Sequence, residues 1–236
     1  MNHTKSNGYH VNCTYLSNEL MHQGNWLRLS KVKFLDSKGQ ERAWESVARM
    51  DPAKGDTDAV ASIAIYRRLL HYDVIVLVRQ YRPAINGYTI EFPAGLLESG
   101  ETSEEAALRE LKEETGWHGE VTHMSSRLSV DPTCSSSIVR YATVKINGDS
   151  FENQTDPEPR KQEVVDLLMI PISELHERLT RLTKEGHVVD SRVEAFAIGL
   201  KMGLKFAKDA EIDAASNNQS SLPVDGSCVR TGTKRN

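Results

Sequence analysis

The 236 residues carry 29 basic and 33 acidic side chains, a net charge of −4, which excludes the clustered positive surface of an electrostatic nucleic-acid or membrane binder. With 39% hydrophobic residues, the length suffices for a real core, either one large domain or one domain with an appendage. Cys13, Cys134 and Cys228 are odd in number, widely spaced and without a CxxC pair, so neither a disulfide framework nor a structural zinc site is expected.

Residues 1–15 are polar and expected to be unstructured; they lack an apolar signal core, and no apolar run approaches a membrane span. The expected compartment is therefore the cytoplasm, with nuclear entry left open. Residues 16–57 form an expected N-terminal β subdomain. In it, WLRLSKVKFLD and ERAWESVARM flank Ser37-Lys38-Gly39-Gln40, the pattern of a hairpin or small sheet. Such a ribbon is marginal alone and must pack on something. Trp26 and Trp44 sit one in each run, either as the ribbon's core or as two indoles that sandwich a flat base.

Residues 51–58 read as a linker or loop, and 58–207 as the main domain. ASIAIYRR, DVIVLVRQYRP and GYTIEFPAG are three strand-like runs, the central one apolar enough to be buried on both faces. Further strands are expected over 120–129, 138–146 and 163–170, so the sheet is mixed, with helices laid against it. Helices are expected over 173–185, stopping at Gly186, and from Ser191 to about Ala207, with 208–236 an unstructured tail.

Between these strands lies the most informative stretch, Gly95 to Trp117. Thr102 followed by Glu105 is a capping box, so a helix is expected from about Ser103 to Thr115. At 3.6 residues per turn Glu110, Glu113 and Glu114 share one face. Ala107, Leu108 and Leu111 form a stripe that can pack on a sheet, and Glu105, Arg109 and Lys112 point to water. Like charges three and four residues apart repel, so three carboxylates on one face need a reason. A plain solvated face laced by Glu105, Arg109 and Glu113 is one. A hard divalent cation, Mg²⁺ or Mn²⁺, is the other, and the flanking residues favour it.

Gly95, Glu101, Arg109, Glu110, Leu111, Glu113, Glu114, Gly116 and Trp117 together resemble the box of the Nudix hydrolases, with Trp117 where an aliphatic residue is commoner. Pro132, fifteen positions past Trp117, and the runs Glu91-Phe92-Pro93-Ala94-Gly95 and Gln80-Tyr81-Arg82-Pro83 resemble the ADP-ribose or ADP-sugar pyrophosphatase subgroup. In its animal members the likeness extends back to Trp26 and Trp44-Glu45-Ser46.

The resemblance implies an α/β/α sandwich with a mixed sheet and an N-terminal β ribbon. It implies Mg²⁺-dependent cleavage of ADP-ribose and related ADP-sugars to AMP and a sugar phosphate, in a homodimer whose sites draw on both subunits. It assigns the metal to Glu110 and Glu114 with the backbone carbonyl of Ala94, and a share to Glu113. Arg109 would orient a carboxylate, and Gly95 and Glu101 would shape the loop. Trp26 and Trp44 would clamp adenine, Glu45 would read its edge, Arg49 and Arg82 would contact phosphate or ribose, and Glu91 and Leu96 would line the substrate pocket. Glu163 would be the general base, with Glu158 the alternative. The segment Thr133-Cys134-Ser135-Ser136 departs from the glycine-leucine-serine common in that subgroup, a change expected to alter the pocket around the distal ribose and so the preferred sugar. Two rival functions remain: hydrolysis of oxidised guanine nucleoside diphosphates, and a catalytically silent ADP-ribose-binding protein.

Overall fold

A computed structural model describes residues 12–50, 57–153 and 166–219. The chain divides into two units, Met1–Asp190 and Ser191–Asn236. The first opens with β1 (Thr14–Gln23), β2 (Leu27–Leu35) and β3 (Glu41–Arg49), an antiparallel sheet in that order. The expected hairpin is present, with Leu27 opposite Arg49 and Leu35 opposite Glu41. Its turn is built by Asp36, whose carboxylate accepts from the amides of Lys38 at 2.9 Å and Gln40 at 3.0 Å. Gly39 takes φ +74 there, the left-handed region that glycine enters without a Cβ penalty.

Strand β1 was not expected: the sequence predicts unstructured chain up to residue 15 and no strand before Asn25. TYLSNELMHQ is almost wholly exposed, so no buried face imposes the period-two alternation by which a strand is read. The indoles are not the ribbon's core either, since Trp26 is 81% and Trp44 54% exposed.

The larger sheet is built from β4 (Ala59–Arg67), β5 (Val74–Arg82), β6 (Gly87–Glu91), β7 (Ala94–Leu96), β8 (Glu120–Met124), β9 (Leu128–Ser129), β10 (Ile138–Asn147), β11 (Asp166–Pro171) and β12 (Val188–Val189). Its main path runs β12-β6-β5-β4-β10-β8, with β11 on β5, β7 on β4 and β9 on β10. β10 lies parallel to β4 and β12 to β6, while β5 is antiparallel to β4 and β6. The sheet is mixed, as expected.

One predicted strand, GYTIEFPAG, is two. Pro93 has no amide hydrogen for a ladder, and the chain leaves β5, paired by β6, for β4, paired by β7. This step carries Ala94, Gly95 and Leu96 under the helix α1 (Ser103–Thr115).

Helix α1 starts at the predicted capping box: the Glu105 amide donates to Thr102 Oγ1 at 3.2 Å and the Thr102 amide to Glu105 Oε2 at 2.9 Å. It ends at Gly116, φ +76. Ala106, Ala107 and Leu111 pack with Val60, Ala64, Val76, Ala142, Val144 and Ile146. Trp117 joins them, its ring centroid 4.7 Å from that of Tyr66. Each large aliphatic group so buried stabilises the fold by about 1.5–3 kcal/mol.

Successive residues of β5 point to opposite faces, and Ile75, Val76, Leu77 and Val78 are all buried. The sheet is therefore covered on both sides, one of them by α1. Helix α2 (Leu175–Lys184) buries Leu175 and Leu179 and contacts β11 and β12. β12, two residues long, was not expected; a strand so short has no periodicity to read.

The second unit contains α3 (Ser191–Gln219). The helix starts where predicted but continues past Ala207, because no proline or glycine interrupts 204–219 and its alanines favour the helix.

Candidate active site

The site is organised by Arg109, which does not point to water as its helical position predicts. Its Nε donates to Glu101 Oε1 at 2.7 Å and its Nη2 to Glu101 Oε2 at 2.9 Å, a two-pronged fork matched to a carboxylate. Nη2 also donates to the carbonyl of Leu96 at 3.0 Å. Nη1 donates to Glu110 Oε1 at 2.9 Å and lies 3.7 Å from Glu113 Oε2. Four acceptors from helix, loop and β7 outweigh the water that an exposed guanidinium would gain.

The hydrogen bonds that Arg109 donates to Glu101, helped by the one to Glu110, raise its pKa against the effect of burial. The Arg109 hydrogen bond holds Glu101 below the ordinary glutamate range despite burial, with the Glu98 backbone assisting. Both remain charged at neutral pH, so the fork persists.

Glu110 and Glu114 are buried, 5% and 4% exposed, while Glu113 is partly exposed. Glu114 Oε2 accepts the backbone amide of Ala94 at 3.1 Å, which ties β7 to the helix one turn below the Arg109 contact. Gly95 lies between: a Cβ there would sit 1.8 Å from both Cδ and Oε1 of Glu110. Only glycine lets the strand approach the carboxylate this closely.

Among the described residues no three His, Cys, Asp or Glu side chains already surround a common point. The donor chemistry nevertheless fits a hard divalent cation. The buried groups are oxygen donors only, anionic, one helical turn apart and beside a strand with further carbonyls.

A second cluster stands on β5 and β6. Arg82 Nε and Nη2 donate to Glu91 Oε1 and Oε2, each at 2.7 Å, and the Thr89 hydroxyl donates to Glu91 as well. Burial pushes the Glu91 pKa up, but the Arg82 and Thr89 hydrogen bonds and the Arg82 charge outweigh it and leave it lowered. A carboxyl depressed on folding adds stability above its unfolded value and loses it as pH falls through the folded one. Glu91→Gln is therefore less stable than the parent at pH 7, and the gap closes as pH drops below the ordinary value of 4.5. Urea melts of both proteins across that range check this; a constant gap contradicts it.

Trp44 Nε1 donates to the carbonyl of Thr133 at 2.7 Å. Trp26 lies in the turn before β2, and Glu45 and Arg49 are exposed on β3. Leu96 is 43% exposed, with its carbonyl held by Arg109. Glu158 and Glu163, the two candidates for general base, lie outside the described residues.

The structure thus gathers Ala94, Gly95, Leu96, Glu101, Arg109, Glu110, Glu113 and Glu114, pairs Arg82 with Glu91, and leaves Trp44, Glu45 and Arg49 on β3 and Trp26 in the turn before β2. Two contributors escape sequence reasoning. Thr89 could have been found from period-two alternation, which puts it on the same strand face as Glu91. Thr133 could not, being 89 residues from Trp44.

A NUDIX domain model matches residues 56–190. The chain is 40% identical to the ADP-sugar pyrophosphatase of Mus musculus over 188 residues, 78% of this chain and 86% of that one. It is 32% identical to the ADP-ribose pyrophosphatase of Saccharomyces cerevisiae, covering 77% of this chain and 79% of that one. A solved structure described as an ADP compounds hydrolase is similar in fold, with a TM-score of 0.54, 22% identity and coverage of 87% of this chain and 98% of that one. The glycine-flanked acidic helix, clamped by Arg109 onto the strand that carries Ala94 and Gly95, falls inside the matched region, and the chain belongs to the Nudix domain family.

Proposed function

We propose that this protein hydrolyses the pyrophosphate bond of ADP-ribose and related ADP-sugars, giving AMP and a sugar phosphate, with Mg²⁺ or Mn²⁺ as cofactor. The observation that carries the proposal is the buried pair Glu110 and Glu114, held against β7 by Arg109 and the Ala94 amide. The names of the mouse and yeast relatives support the substrate class.

Glu110 and Glu114, with Glu113 and the Ala94 carbonyl, would hold the cation. When bound, it neutralises charge on the phosphoryl oxygens. Arg109, which donates to Glu110, would orient that carboxylate beside β7. Water adds to a phosphorus of the diphosphate, the bond to the bridging oxygen breaks, and the water's proton passes to a base. Glu163 is assigned that role, with Glu158 the alternative, because carboxylates engaged with a cation are poor bases. Arg82, fixed by Glu91, and Arg49 would bind phosphate or ribose, and Leu96 would line the pocket.

Trp26 and Trp44 are assigned to the adenine ring, and Glu45 to its polar edge. The Met50 amide bonds to the Trp26 carbonyl at 3.0 Å, and Trp44 pairs with Val32, so the indoles are six positions apart along the ribbon. At roughly 3.3 Å per residue that is about 20 Å, far beyond the thickness of a stacked base. A sandwich therefore requires one indole from each of two subunits, which favours a homodimer. Tyr15, Leu20 and Trp26, 64%, 59% and 81% exposed, offer apolar surface for it. A cytoplasmic location goes with this reading, and Cys13 and Cys134 are free, exposed thiols.

Initial rates on ADP-ribose, other ADP-sugars and an oxidised guanosine diphosphate, at one Mg²⁺ concentration, test the proposal. ADP-ribose is expected to give the highest kcat/KM; preference for the oxidised nucleotide, or binding without turnover, overturns it. Trp44→Ala should raise KM for ADP-ribose roughly five- to a hundredfold, the worth of one stacked base, with kcat nearly unchanged. An unaltered KM returns that indole to a structural role.

A further inference from the structure

Resting on the reading of Arg82 as a contact to phosphate or ribose, we propose that Thr89 is a positioning residue for the nucleotide: its hydroxyl fastens the Arg82–Glu91 fork to β6 and so sets where the guanidinium sits. Arg82 ends β5 with its side chain half-exposed, while Glu91 is buried on β6. The fork, 2.7 Å in both prongs, fixes these two side chains against each other. Two long side chains joined at their tips can still swing as a pair, because each keeps several rotatable bonds.

Thr89 adds the tie to the strand. It stands two residues before Glu91 on the same face of β6, opposite Gln80 of β5, and its branching at Cβ stiffens its first torsion. Its Oγ1 donates to Glu91 Oε1, the oxygen that also accepts Arg82 Nε. The Gln80 carbonyl lies 3.2 Å from the same hydroxyl, but a single O–H proton favours the charged acceptor. Thr89 is 8% exposed, where a hydroxyl without a bond costs stability. The carboxylate accounts for an oxygen at a strand position that valine would fill equally well.

Asp190, just past β12, gives the tie a load to bear. It is a like charge acting on Glu91, and its amide donates to the Ile90 carbonyl at 3.0 Å, which keeps it beside β6. That repulsion pushes on the fork, and the Thr89 hydroxyl resists it.

Thr89→Val keeps the shape and removes the hydroxyl. It is expected to raise KM for ADP-ribose roughly three- to tenfold, the worth of one hydrogen bond, with kcat nearly unchanged, and Thr89→Ser should restore the parent KM. In an Arg82→Ala background Thr89→Val should add nothing, since residues acting through one contact are not additive. Hydrogen exchange at the Arg82 Nε–H needs no substrate. It is followed by NMR on protein with labelled arginine, the signal being identified by its absence from Arg82→Lys. Exchange should quicken roughly three- to tenfold in Thr89→Val and return to the parent rate in Thr89→Ser.

An equal rise in KM in the Arg82→Ala background, a KM for Thr89→Ser as high as for Thr89→Val, or unchanged exchange in Thr89→Val overturns the proposal. Arg82→Ala with an unaltered KM overturns instead the reading of Arg82 as a nucleotide contact, while the exchange rate still decides whether Thr89 holds the fork.

Discussion

Glu114→Gln lowers kcat for ADP-ribose on the order of a hundred- to a thousandfold, the cost of removing one group that stabilises charge in the transition state, and leaves KM within about twofold. The substitution is nearly isosteric, and the glutamine carbonyl can still accept the Ala94 amide that Glu114 Oε2 accepts at 3.1 Å. The link between α1 and β7 therefore survives. What is lost is one negative charge from a buried site whose proposed task is to hold a cation beside a diphosphate. That charge matters most as the bridging oxygen leaves, so the effect falls on turnover rather than on binding. Steady-state kinetics with saturating Mg²⁺ check this. Equal kcat values for variant and parent would remove Glu114 from the ligand set.

Gly95→Ala is expected to cost activity far more than stability. The new methyl would lie 1.8 Å from Glu110 Cδ and Oε1 and 2.5 Å from its Cγ, an overlap that one partner must relieve. The obstructing atoms are the end of a side chain, so the carboxylate swings away and the strand stays. Small-to-large changes in packed sites typically cost about 1–3 kcal/mol, and relief through a side-chain end puts this one near the low end, a shift in Tm of about 2–4 °C. The displaced carboxylate leaves the Arg109 bond at 2.9 Å and with it the proposed ligand position. A loss of kcat on the order of a hundredfold follows if Glu110 holds the cation. A melting curve and a rate measured on one preparation check this; full activity would show that the Glu110 position does not matter.

The parts of the site legible in the sequence are those whose partners are close along the chain. Thr102 and Glu105 cap α1, and Glu110 and Glu114 fall one turn apart. Gly95 is legible only through the pattern around it, since nothing local says that its missing side chain makes room for Glu110. Arg109 shows the limit: helical spacing sends it to water, whereas Glu101 and the Leu96 carbonyl, supplied by the preceding loop and β7, draw it in.

Strand endings follow the same rule. Pro93 divides a run that reads as one strand, and which neighbours the two pieces join is a property of the whole sheet. β1 lacks a buried face and so leaves no alternation. The exposure of Trp26 and Trp44 is equally invisible locally, because an indole in a β-prone run has the same sequence whether it faces a core or solvent.

The central claim is that the acidic face of α1, with β7 beside it, is where a divalent cation meets the substrate diphosphate. Anomalous scattering from crystals holding Mn²⁺ and a methylene-bridged, non-hydrolysable analogue of ADP-ribose tests it most directly. A manganese peak within coordination distance of Glu110 and Glu114, touching the analogue's phosphonate oxygens, is the predicted result. An ordered analogue with no peak at those carboxylates, or with its manganese held elsewhere, would contradict it.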